Sequence, residues 1–173
     1  MARLRARAFR LVWTAYGAWD EPDSSPNSED ATRGELARRL SLAKHEALLA
    51  RPSSSRDMEA YRRRHDALRF DARGLTAADA DHIAAAVGDV ARQQGYVVHA
   101  LAVRPDAVQV VVKHHRDRPE DVIEQFKHAA RVRLHAAGDE WRGHPVWSAG
   151  GWIIPLERKA HVREAMEAVN AAA

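Results

Sequence analysis

Residues 76–113 constrain this chain most, because they hold a well-marked helix followed at once by two β-branched runs around a tight turn. Thr76 is an N-cap with Asp79 three residues on, and Ile83, Val87 and Val90 form an apolar stripe that Gly95 ends. Residues 96–103 and 107–113 then flank Arg104, Pro105 and Asp106, which is turn chemistry between two antiparallel strands. A helix feeding an antiparallel hairpin requires a sheet with helices laid on it.

Elements of the same kind surround this unit. Phe9, Leu11, Trp13 and Ala15 alternate with Arg10, Val12 and Thr14, which predicts a strand. Residues 21–32 carry hardly an apolar anchor and read as a mobile loop, and residues 34–50 read as a helix stopped by Pro52 and its serines. A basic insertion around 51–70 contains Arg62, Arg63 and Arg64. Pro119 suits a first helical position, and Ile123, Phe126, Ala130 and Leu134 recur at helical spacing up to Gly138. Val146 and Trp147 predict a short strand, Gly150 and Gly151 a turn, residues 152–155 a further strand, and residues 159–171 a closing helix. The expected class is α+β, a central and mainly antiparallel sheet packed by helices, in one domain over residues 1–173.

Composition narrows the function. Without cysteine there is neither a disulfide framework nor a thiolate metal site, and a reducing, cytoplasmic setting is expected. No apolar run approaches the roughly 20 residues of a membrane span. The arginine-rich start mimics a leader, but its apolar part is interrupted by Arg10, Thr14 and Gly17, so a strand is expected there; an organelle presequence is the alternative. A net charge of only +3 throws the case for a polyanionic partner onto the placement of the basic residues.

Three basic features stand out. Lys127, Arg131 and His135 fall at i, i+4 and i+8 on one helix face, with His128 beside them. Arg62, Arg63 and Arg64 lie next to Tyr61, a pairing that suits single-stranded nucleic acid. Arg3, Arg5, Arg7 and Arg10 read as a basic arm ahead of the first strand. Trp13, Trp19, Trp147 and Trp152 could stack on bases, but large aromatics normally serve in core or interface packing, which is expected for most of them; Trp19, next to a polar loop, is the best exception. Each charged feature also has a plain reading as a solvated face.

Several segments resemble, in order, the single-tyrosine HUH transposases, in particular the REP-associated tyrosine transposase branch. Thr14, Ala15, Tyr16, Gly17, Ala18 and Trp19 are similar to the family's Thr-x-Tyr-Gly-x-Trp signature, and residues 76–113 to its motif-bearing helix and hairpin. Lys127, His128, Ala129, Arg133 and Leu134 resemble its following helix, and Trp147, Gly151, Ile154 and Pro155 its Trp-x-x-x-Gly-x-x-x-Pro hairpin. The resemblance implies a ferredoxin-like sheet, hairpin or single-stranded DNA as partner, and a homodimer.

It also implies two strand histidines one residue apart, both on one face and gripping a divalent ion, with a tyrosine on a later helix attacking the phosphate. Here Ala107 and Gln109 stand at the two ligand positions, Ala168 stands near that of the tyrosine, and no tyrosine follows Tyr96. The expectation is a catalytically inactive, domesticated relative that binds hairpin or single-stranded nucleic acid, DNA over RNA, with no cofactor. One alternative is an active nickase using His99, Gln109, His114 or His115 with a divalent metal such as magnesium; Ser148 or His161 as nucleophile has neither base nor metal beside it. Another is a protein-interaction scaffold without a nucleic-acid role.

Overall fold

The computed structural model describes residues 6–18, 69–148 and 150–173. The loop at 21–32, the helix over 34–50, all but the end of the basic insertion, Arg3, Arg5 and Trp19 lie outside the described residues. In chain order the elements are β1 (Ala8–Thr14), α1 (Ala77–Gln94), β2 (Val98–Val103), β3 (Ala107–Lys113), α2 (Pro119–Ala137), a 3-10 turn (Asp139–Trp141), β4 (Trp152–Leu156) and α3 (Lys159–Ala171).

The four strands form one sheet in the order β2-β3-β1-β4, antiparallel at every pairing. Strand–helix–strand–strand–helix–strand with this order is the ferredoxin-like arrangement. The fold is therefore α+β, as the helix and hairpin of residues 76–113 require.

Local chemistry accounts for the elements. Thr76 and Asp79 close a reciprocal capping box, and Gly95 ends α1 in the left-handed region at φ 76°. The hairpin turn is held by the Arg104 amide, which donates to the Ala107 carbonyl at 2.8 Å. Proline stands at the start of α2, as expected, but Arg118 caps without a side-chain bond and instead forks onto Asp121 at 2.9 and 3.0 Å. The expected strand at Val146 and Trp147 shrinks to a single bridge between Ala15 and Trp147. The Tyr16 amide still donates to Val146, but β1 then ends in a turn through Gly17 at φ 77°, leaving no partner strand to extend the pairing.

Two cores sandwich the sheet. On one face Leu11, Trp13, Val108 and Val110 pack against Ile83 and Val87 of α1 and Ile123, Phe126 and Leu134 of α2. On the other face Ala100, Ala102, Val111, Ile154 and Leu156 meet Ala165 and Val169 of α3. A central strand between two helical layers has no solvent side, so the residues of β1 that alternate with Leu11 and Trp13 are buried too.

Candidate nucleic-acid interface

Ala107 and Gln109 share the face of β3 that α3 covers, and both are buried. Across the sheet, Val12 stands opposite Gln109 and Arg10 opposite Val111. From this neighbouring strand the Arg10 side chain reaches diagonally, and its Nη2 donates to the Gln109 Oε1 at 2.5 Å. Arg10 is wholly buried, so it belongs to β1 and not to the exposed basic arm expected at the start of the chain. Arg7 is exposed, with its backbone tied to Leu156 and His114 at the end of the sheet.

These residues do not fit a divalent ion. Alanine offers no donor atom, and the one amide oxygen of the pair already faces a guanidinium. The alternative ligand set does not assemble either. His114 leans on Phe9, which faces the α1 and α2 core, with ring centroids 5.8 Å apart. His115 sits with Nδ1 3.3 Å from Asp117 and its ring edge-on to Tyr96, and His99 lies at the register irregularity of β2. Among the described residues no group of three or more His, Cys, Asp or Glu side chains could hold a metal ion.

The Tyr96 hydroxyl donates to Asp117 at 2.7 Å, joining the start of β2 to the approach to α2. Burial, then this bond and the negative charge of Asp117, push the Tyr96 phenol up to about 12. A raised value means that the neutral phenol stabilises the fold fully below its ordinary range near 10, and that this contribution is lost as pH climbs through about 12. Tyr96→Phe is expected to cost about 1.5 kcal/mol in urea unfolding at neutral pH and to abolish a tyrosinate absorbance step near pH 12.

The α2 face is divided differently from the expected i, i+4, i+8 stripe. His128, Arg131 and His135 are exposed, and Arg131 Nη2 lies 3.2 Å from His128 Nδ1. Lys127 is buried, and its ammonium donates to the Gly150 carbonyl at 2.9 Å and to Glu124 at 3.1 Å. Position 127 adjoins the apolar arc of Ile123, Phe126, Ala130 and Leu134, which turns its side chain inward to the turn before β4. The Trp147 indole returns a bond to the Lys127 carbonyl at 2.9 Å, so this lysine ties both Trp147 and Gly150 to α2.

Beside these residues opens a cleft of about 250 Å³, lined by Glu124, Lys127, His128, Arg131, Trp147 and Ser148 among others. Ser148 Oγ donates to the Ala15 carbonyl at 3.0 Å. Trp147 stands edge-on to Trp13, whereas Trp13 and Trp152 are core residues unavailable to a base. The chain entering the cleft is anchored by side chains that periodicity does not single out. Trp141 donates to Asp79 at 2.8 Å, Arg73 lies over the Trp141 ring, and His144 sits among Tyr16, Phe70 and Trp141. Arg62, Arg63, Arg64 and Tyr61 lie outside the described residues.

No protein-family model matches the chain, and no curated protein matches it. Two of the solved structures similar to it are transposases by their descriptions. One is a protein classed as a transposase from Deinococcus radiodurans, 12% identical over 99% of this chain and 95% of that one, at a TM-score of 0.47. The other is a REP-associated tyrosine transposase bound to a REP hairpin, 9% identical over 98% of this chain and 67% of that one, also at 0.47.

Proposed function

We propose that this chain binds hairpin or single-stranded nucleic acid, DNA in preference to RNA, along the exposed side of α2, and that it cuts no strand. The observation that carries this reading is the cleft in which His128 and Arg131 stand beside Trp147. The exposed Arg131 guanidinium at one wall, with the His128 imidazole beside it, meets phosphates, and the half-buried Trp147 indole offers surface to a sugar or base. The motif order of the sequence, with its resemblance to HUH transposases, favours a DNA hairpin as ligand and a homodimer as the binding unit. The absence of catalysis follows from Ala107 and Gln109 at the ligand positions, and no cofactor is required for binding.

Fluorescence anisotropy with a labelled DNA hairpin and a single-stranded oligonucleotide, over a salt series, tests the reading. Affinity should fall steeply with salt, and Arg131→Ala should lower the slope of log K against log salt by about one. Arg163→Ala, on the exposed side of α3, should change little. Absence of binding at low salt would remove the proposal, and a magnesium- or manganese-dependent covalent protein–DNA adduct would remove its non-catalytic half.

A further inference from the structure

We infer that the chain carries a second phosphate-binding surface, at the end of the sheet remote from the α2 cleft, where Arg7, Lys113, Arg158 and Lys159 hold the sugar-phosphate backbone of a nucleic-acid duplex. This surface goes beyond the reading of the cleft and does not depend on it, so the two can fail separately.

Strand pairing brings these residues together. Arg7 precedes β1; its amide donates to the Leu156 carbonyl at the end of β4, and its carbonyl accepts from the His114 amide just past β3, both at 2.8 Å. Lys113 stands opposite Ala8 at the end of β3, and Arg158 and Lys159 lead from β4 into α3. Neighbouring strands lie about 4.8 Å apart, so the ends of β3, β1 and β4 span about 10 Å, a length of duplex axis that carries about six phosphates. All four side chains are exposed, and among the described residues none has a carboxylate partner. By contrast Arg73 faces Glu140, Arg92 and Arg133 share Asp89, and Arg118 forks onto Asp121. Half-buried Glu157 offsets part of the charge, whereas the first turn of α3 adds to it, with no acidic residue against the positive end of the helix dipole.

The kind of partner follows from what surrounds the charge. Phe9 packs on the core, and Val97, beside Lys113, is the large apolar side chain exposed at this end among the described residues. One valine is too little to seat a lipid surface or the apolar centre of a protein interface. The described residues put no exposed aromatic ring there to stack a splayed base, so the surface suits phosphates in a regular array, contacts that position a duplex without reading its sequence. The cleft beside Trp147 differs in carrying an indole, and it lies at the other end of β1, roughly 25 Å away.

The test uses the full chain and a short, blunt-ended, labelled DNA duplex of arbitrary sequence, read by fluorescence anisotropy over a salt series. The duplex reports on this surface, and the single-stranded oligonucleotide reports on the cleft. The parent should bind the duplex at low salt, with log K falling by about 3–4 per unit of log salt. Lys113→Gln/Lys159→Gln should lower that slope by about two and weaken binding about tenfold at low salt. Circular dichroism checks the fold, and if this pair does not fold, Arg158→Gln/Lys159→Gln takes its place and is read in the same way. Arg131→Ala in the cleft and Arg163→Ala, which faces Glu167, should each leave the duplex slope unchanged. No duplex binding at low salt would overturn the inference. So would a folded double variant that keeps the parent's slope, a loss with Arg131→Ala as large as with the double variant, or phosphatidylserine vesicles bound as tightly as the duplex.

Discussion

Gly151→Ala is expected to lower stability by about 3 kcal/mol, the upper part of the range for overpacking a closed core. A Cβ at this position would lie 2.6 Å from Ile123 Cδ1 and 2.9 Å from the Val12 carbonyl oxygen. The first contact can relax, because Cδ1 ends a flexible side chain. The second cannot, because Val12 lies in the middle of β1, which pairs with strands on both sides. Thermal unfolding should show a melting temperature about 6–12 °C lower. Ile123→Val removes the methyl that meets the new Cβ, so the double variant should recover part of the loss but less than half. A melting temperature within about 2 °C of the parent would show that the 150–151 backbone moves freely away from β1. Gly150 carries the carbonyl that holds Lys127, so the same substitution should also weaken hairpin binding at the cleft.

Much of this architecture is legible in the sequence, and the failures share a physical origin. The box of Thr76 and Asp79, the turn of Arg104 to Asp106 and the arc of Ile123 to Leu134 are local signals, and each forms as expected. Periodicity gives the phase of an element but not what covers it. In a strand with one wet face, alternating Arg10, Val12 and Thr14 would point to solvent. Here β1 is central and α3 closes the second face, so the same alternation marks a second core and Arg10 is inside it. The stripe on α2 misleads in the same way at Lys127, whose partner is a backbone carbonyl 23 positions away. Trp147 reads as a strand residue because its composition is right. Whether a strand forms depends on the partner, and β1 turns away after a single bridge.

The second large effect is expected at Asp79, because two separate structures depend on one carboxylate. One oxygen accepts from the Thr76 amide and hydroxyl, both at 2.8 Å, and the other from the buried Trp141 indole at 2.8 Å. Asp79→Ala removes the box from the start of α1 and leaves the indole N–H without its acceptor. A lost cap costs about 1 kcal/mol and an unsatisfied buried donor about 1–3, so a loss of about 2–4 kcal/mol is expected in urea unfolding at neutral pH. Asp79→Asn, which keeps an oxygen, should cost roughly half as much. Burial alone would raise this carboxyl, but the bonds from the Thr76 backbone, Trp141 and the Thr76 hydroxyl, with the Arg73 charge, hold it below its ordinary range. A lowered value gives stability that is present above the ordinary aspartate range near 3.9 and is lost as pH falls through the folded-state value. The parent should therefore lose this contribution in acid, and Asp79→Asn should lack that part of the acid loss. Thr76→Ala separates the two roles. It removes only the cap, so it should cost about 1 kcal/mol while leaving hairpin affinity unchanged. Asp79→Ala also frees Trp141, and with it the segment that runs through His144 to the Trp147 wall of the cleft, so it should weaken hairpin binding as well. Equal losses of affinity in the two variants would show that the cleft is held by α1 as a whole and not through Trp141.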